Sequence, residues 1–395
     1  MKKLPRIDVY TPDTVPFRET PSKRPKSYMT DVSAAVDAVA EGGIIYMHAG
    51  EHVFDRAGLR ASPKSFTLRA VPGDEWYVKL RAKSERCFDF APWGEPRVST
   101  SDRAPPRDGP AANSSYATVT LQGVKIIAGA TGNEGACIRA NNVNVILNSV
   151  SIEVTSPDGA AVDLQSGFHH LESVQLVGPA RRSRTGVIVG GRSDLTIDGR
   201  SEISGFNVGV QVVGRVLLRK LVLFENNGRA IHLTGGVSTD ATRPLVYRSE
   251  IEGSRFAVGA GDVGVDVADD YGGELVITAS SFEPPLTGSG GVGLRVPRSS
   301  RATVRVGAPD VPSSSPTFTE LSTGIDAAGS VSIEGAEFYD NATALRLELS
   351  SDTSTTISGA RFRSLGGPLI RFGAIGGGEL FVSDNRMEPN ARAPK

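Results

Sequence analysis

One four-residue phrase recurs along this chain: a small residue, an apolar residue, any residue, an apolar residue. It reads Cys137-Ile138-Arg139-Ala140, Ala161-Val162-Asp163-Leu164, Gly186-Val187-Ile188-Val189 and Gly209-Val210-Gln211-Val212. It returns as Ala230-Ile231-His232-Leu233, Gly264-Val265-Asp266-Val267, Gly293-Leu294-Arg295-Val296 and Gly324-Ile325-Asp326-Ala327, and last as Ala344-Leu345-Arg346-Leu347 and Leu369-Ile370-Arg371-Phe372. Successive copies begin 20 to 34 residues apart, the period range of solenoid repeats. Apolar-x-apolar is the pattern of a strand with one buried face, and a small residue ahead of it admits a tight approach. A second strand of the same period lies between copies, as in Thr118-Val119-Thr120-Leu121, Val143-Asn144-Val145-Ile146 and Ser330-Val331-Ser332-Ile333. No copy can bury its apolar face alone, but stacked copies share one core. The expected fold is all-β, a parallel β-helix.

Composition agrees. The 45 Gly, 24 Pro and 4 Met suit many short strands and turns rather than helices. With 43 basic and 44 acidic side chains the net charge is −1, which argues against nucleic-acid binding through bulk charge. Cys87 and Cys137 fall at inward or near-inward strand positions and read as small apolar core residues. Neither their number nor their spacing resembles a metal site, so no metal and no cofactor is expected. Aromatic residues make up 6% of the chain, which offers few stacking platforms for neutral sugars.

Residues 1–30 are expected to form an extended arm, because Pro5, Pro12, Pro16, Pro21 and Pro25 stand there among charges. Met1-Lys2-Lys3 opens like a secretion signal, but no long apolar run follows. No segment approaches the roughly 18 apolar residues that span a bilayer. A cytoplasmic or virion-associated protein, or an excised mature form, fits these signals. Residues 31–395 are expected to form one β-helix domain, interrupted at 91–116 by a Pro-rich excursion. Asp31 to Glu41 reads as a helix, with Asp31 as N-cap, an apolar stripe of Val32, Ala35, Val36 and Val39, and Gly42-Gly43 as its stop. No helix follows Glu379 to Asn385, so a second subunit or a stacked partner is expected over the C-terminal end.

The stretch from Asp31 through Gly42-Gly43-Ile44-Ile45-Tyr46-Met47 to Ala49-Gly50 and Phe54 resembles the entry segment of pectin-lyase-like right-handed parallel β-helix proteins. These often open with a helix, a double glycine, an apolar strand and an Ala/Pro-Gly turn. The later phrases, with Asn-rich turns such as Phe224-Glu225-Asn226-Asn227-Gly228, are similar to repeats of that superfamily. The resemblance covers about residues 31–385. It implies a single-stranded right-handed parallel β-helix with a short N-terminal capping α-helix. It implies no single activity, because the superfamily holds lyases, hydrolases, epimerases, phage tailspikes and binding scaffolds.

The middle residue of each phrase points away from the core, and stacking sets these residues about 4.8 Å apart in a column. Read upward the column is Asp89, Arg139, Asp163, Ile188, Gln211, His232, Asp266, Arg295, Asp326, Arg346 and Arg371. Alternating charges could serve only to fix the register of the coils. Alternatively this face binds a polymer. Gln211, His232, Asp266 and Arg295 would then contact an acidic sugar, with Arg181, Arg182 and Arg184 of the one dense basic run as a clamp. His232 beside Asp266 could act as a base. Pectate-lyase-like sites imply an Arg or Lys base beside calcium held by several carboxylates, and here Arg295 and Asp266 match by type alone. Polygalacturonase-like sites imply an Asp-Asp pair among other motifs. Only Asp269-Asp270 is present, before Tyr271-Gly272-Gly273, where acidic pairs form turns. His169-His170 begins a strand with one ring inward and one outward. The expected function is a scaffold presenting a charged strand face to a polymer, carbohydrate foremost, as a surface or virion-associated binding protein. The alternative is a polysaccharide lyase or glycoside hydrolase with His232, Asp266 and Arg295 as candidate catalytic groups.

Overall fold

The computed structural model describes residues 4–11, 28–54, 59–60, 64–82, 87–90, 116–128, 136–155, 159–179, 184–235, 246–308, 314–363 and 367–388. They fall into two compact units, residues 1–195 and 196–395. Each unit is built from coils with three strands per turn, and like strands of successive coils pair in parallel. Both are therefore parallel β-helix structures.

In unit 1 the phrases form one ladder, with Ile138 paired between Phe88 and Val162. A second ladder climbs from Leu4–Val9 through Val39–Met47, Phe66–Ala70, Ala117–Gln122 and Val143–Asn148 to the end of the Ala160–Glu172 strand. Its inward column is Ile7, Ile45, Leu68, Leu121, Leu147 and Leu171, all buried. Two registers of apolar residues on one face are what a half-buried strand requires, and stacking turns them into a continuous aliphatic seam. A third ladder joins Gly50–Phe54, Val78–Ala82, Lys125–Ala128, Ser151–Val154 and Gln175–Val177.

The start of the chain departs from the expected arm. Leu4–Val9 is extended, but it pairs with both Tyr28–Met29 and Val39–Met47 and buries Ile7 and Val9. The Pro residues masked an alternation in Arg6-Ile7-Asp8-Val9 that suits a strand with one buried face. Residues 12–27 and the Pro-rich excursion at 91–115 lie outside the described residues. Ile7→Ala should lower the stability of the chain by about 2 kcal/mol, the low end for such a core truncation, since a first coil can relax. An unchanged denaturation midpoint would return this segment to the status of an arm.

The helix runs Val32–Ala38, shorter than expected. Asp31 caps it by accepting the Ser33 N–H at 2.8 Å, and Val32, Ala35 and Val36 are buried. It stops at Val39 because that residue is already extended and enters the second ladder. The buried Lys64 ammonium donates to the carbonyls of Asp37 and Val39 at 3.2 and 2.9 Å, placing a cation where the helix leaves acceptors open. Among the described residues no helix is long and apolar enough to cross a membrane.

In unit 2 the phrases again form a ladder, from Val208–Val212 through Arg229–Leu233, Val263–Val267, Val292–Val296, Thr323–Ala327 and Leu345–Ser350 to Ile370–Gly376. The inward Ile231 and Val265 are fully buried. The third ladder, which the sequence pattern did not suggest, has three-residue strands centred on Phe224, Phe256, Phe282, Phe318, Phe338 and Phe362. Their rings stack at centroid distances of 5.0, 4.5, 4.7, 5.1 and 5.1 Å. This stack explains the glycine that opens the phrases at Gly209, Gly264, Gly293 and Gly324. A Cβ on Gly293 would lie 2.7 Å from the Phe318 ring and 2.6 Å from the Gly324 carbonyl oxygen. Between the stacks, Asn227 and Asn341 are buried and bridge coils. Asn227 accepts from Phe206 N–H at 3.0 Å and donates to the Ile203 carbonyl at 2.8 Å, and Asn341 makes the same two bonds with Leu321 and Phe318. The last coil leaves Phe372, Phe381, Val382 and Met387 exposed.

Candidate functional site

The outward middle positions of the unit 2 phrases lie in register, as Gln211–His232, His232–Asp266 and Asp266–Arg295, with Asp326, Arg346 and Arg371 above. The four expected residues thus occupy four successive coils on one rigid ladder. Asp266 is the centre of the group. Its side chain is only 8% exposed, and three cationic or titratable groups converge on it. Arg295 Nη1 stands 3.8 Å from one carboxylate oxygen, and His232 Nδ1 stands 3.2 Å from the other. The imidazole approaches without the alignment of a hydrogen bond, so this contact is electrostatic.

Arg229 completes the cluster, with Nε 3.2 Å from the same Asp266 oxygen as His232. It sits three residues before His232, opposite Val263 in the ladder, and reaches diagonally to the next coil. A column of phrase centres does not contain it, and only a basic residue just ahead of a phrase could have signalled it. The Arg229 and Arg295 side chains remain 45% and 42% exposed. A nearly buried carboxylate therefore orients two half-exposed guanidinium groups. With one acid against two fixed cations, the cluster is positive. Such forks match carboxylate, sulfate or phosphate oxygens.

In unit 1 Arg139 lies in register between Asp89 and Asp163. Burial raises the Asp163 carboxyl, opposed by a hydrogen bond from Gln165 and by the Arg139 charge. Of the expected clamp, Arg184 turns inward. Arg184 is 1% exposed, among inward groups near enough to Cys87 for its charge to oppose the upward push of burial on that thiol. A guanidinium in that position cannot reach a polymer in solvent. Arg181 and Arg182 lie outside the described residues. Cys87 and Cys137 are fully buried on facing strands, with Cys87 N–H donating to the Cys137 carbonyl at 2.8 Å. Asp269-Asp270 forms a turn closed by the Tyr271 N–H on the Ala268 carbonyl. His169 is buried and His170 half-buried on the opposite face.

The ladders define the chain as a parallel β-helix protein. No protein-family model and no curated protein matches it. Among solved structures it is similar to the catalytic unit of a thermostable GH87 alpha-1,3-glucanase from Streptomyces thermodiastaticus strain HF3-3, at 12% identity and a TM-score of 0.38 over 91% of this chain and 66% of that one. It is similar to the Streptococcus pneumoniae surface protein and adhesin PfbA at 11% identity and a TM-score of 0.40, over 91% and 97%. It is also similar to ORF18 of Geobacillus virus E2 at 13% identity and a TM-score of 0.29, over 89% and 57%. The chain thus spans less than two thirds of the glucanase unit and of the viral protein.

Proposed function

We propose that the protein is a β-helix scaffold of the pectin-lyase-like kind that binds an acidic polysaccharide along the phrase ladder of unit 2, as a surface or virion-associated binding protein. The observation that carries this reading is the convergence of Arg229, His232 and Arg295 on the nearly buried Asp266. The carboxylate fixes the cations, and the cations meet the acidic groups of the polymer. Gln211, in register below His232, adds amide donors and acceptors for hydroxyl groups.

A catalytic reading has one observation in its favour, the 3.2 Å approach of His232 to Asp266, which could make the imidazole a base toward a sugar C–H or O–H. Against it, Asp266 is engaged by three groups, and a glycoside hydrolase of the usual kind needs two carboxyl groups flanking the bond. Titration calorimetry with oligouronates tests the binding, and ultraviolet absorbance with reducing-end assays tests turnover. Arg229→Ala with Arg295→Ala should weaken oligouronate binding at least tenfold, as expected for lost charge-assisted hydrogen bonds of about 1.5–3 kcal/mol each. Affinity unchanged in the double variant would reject the site, and new unsaturated or reducing ends would favour the enzyme.

A further inference from the structure

The corner after the Phe66–Ala70 strand of unit 1 differs from the corners above it. The later coils turn on small residues with positive φ, Gly123, Ser149 and Ser173, directly after their strands. The first instead carries Asp74-Glu75-Trp76-Tyr77, a turn closed by the Tyr77 N–H on the Asp74 carbonyl at 3.0 Å. Trp76 holds φ at +71° within it, a conformation that turns ordinarily give to Gly or Asn and that is strained for a bulky side chain. The strain is held from outside the indole. Asp74 accepts the Ala49 N–H at 3.1 Å, and Glu75 accepts the Gly73 N–H at 2.7 Å. The result is two adjacent aromatic side chains in solvent, Trp76 at 53% and Tyr77 at 68% exposure. Backbone strain maintained to display an apolar group points to use of that group.

What lies beside them identifies the class of ligand. The corner rests on Gly123, where a Cβ would come within 3.1 Å of Glu75 Cγ. Gln122 precedes Gly123 and lies in register between Arg69 on the coil below and Asn148, then Glu172, on the coils above, about 4.8 Å per step. Asn148 donates to Glu172 at 2.9 Å, which fixes both side chains. An aromatic face takes the C–H face of a pyranose ring, while a row of amides and a carboxylate takes its hydroxyl groups. Asp74, Glu75 and Glu172 outnumber Arg69, whose guanidinium lies over the Tyr46 ring at 4.5 Å, so the surroundings disfavour the anionic sugars that suit the Asp266 cluster.

We propose that Trp76 and Tyr77, with Gln122, Asn148 and Glu172, form a second site that binds a neutral oligosaccharide. It is independent of the acidic-polymer reading of unit 2. Trp76 and Trp93 are the two tryptophans of the chain, so in the full chain carrying Trp93→Phe the emission reports Trp76 alone. Titration with maltohexaose, cellohexaose, laminarihexaose and mannohexaose should give a saturable change with at least one, and Asp266→Asn should leave it intact. A uronate hexaose should give none. Trp76→Gly relieves the positive φ and should melt no lower than the parent, yet lose at least tenfold in affinity by calorimetry; Tyr77→Ala should weaken binding as well. No response to any neutral hexaose, or full affinity in a folded Trp76→Gly protein, would overturn the proposal.

Discussion

Phe282→Ala should destabilise unit 2 by about 3–5 kcal/mol. Phe282 is fully buried and lies between two parallel rings, 4.5 Å from Phe256 and 4.7 Å from Phe318 by centroid. Truncation removes the transfer term of the ring, both stacking contacts and the support beneath Gly264, whose added Cβ would meet that ring at 2.8 Å. The cavity cannot close easily, because both neighbours are fixed by their own strands. Leu286, three residues beyond the Arg-facing Glu283 strand end and almost wholly exposed, is the control. Its replacement by Ala should stay within about 0.5 kcal/mol. Denaturant titration of both variants decides the matter, and a Phe282→Ala loss below about 1 kcal/mol would mean the stack is not a structural column.

Acid should destabilise unit 1 through His169. Its ring is buried, Nδ1 accepts the Val145 N–H at 3.3 Å, and burial lowers its pKa to about 3. Unfolded, the same imidazole titrates near the ordinary value of about 6.5. Between those values the unfolded chain binds the extra proton, so stability is full above about pH 6.5 and falls as the pH drops toward 3. The whole span is on the order of 5 kcal/mol at 1.36 kcal/mol per pH unit. His52, also lowered by burial, adds in the same direction. His169→Asn keeps an acceptor for Val145 but cannot titrate. Its acid limb should be shallower than the parent's over pH 6.5 to 3, measured by urea denaturation at each pH. Parallel limbs would show that His169 is not the group responsible.

The first two ladders were legible because period-two alternation over four or five residues leaves two or three inward side chains to count. The third ladder of unit 2 escaped because its strands are three residues long, with a single inward residue such as Phe256 or Phe318. One apolar residue has no period. Register along the phrases was legible for the same reason as the fold: aligning phrases aligns their centres, which put Gln211, His232, Asp266 and Arg295 on one column. Arg229 was not legible, since its contact is diagonal. Arg184 was misread because a basic run ordinarily faces water, and nothing local in Arg181-Arg182-Ser183-Arg184 marks which side chain turns inward. Leu4–Val9 was misread because Pro signals outweighed a short alternation whose partner strand begins at Val39.

The strand lengths of unit 2 have a consequence for how such a chain can change over descent. From Leu223–Glu225 to Arg361–Arg363 every third-ladder strand has three residues, and from Val208–Val212 to Thr323–Ala327 every phrase strand has five. The link between the two is not fixed: residues 226–228 make it in one coil and residues 284–291 in another. One residue added inside a strand would turn every side chain beyond it to the opposite face. Residues added at a corner leave the rings and the phrase centres where they are. Heritable length is therefore stored at the corners, where new loops can be tried out and discarded while the stacked framework passes unaltered from ancestor to descendant.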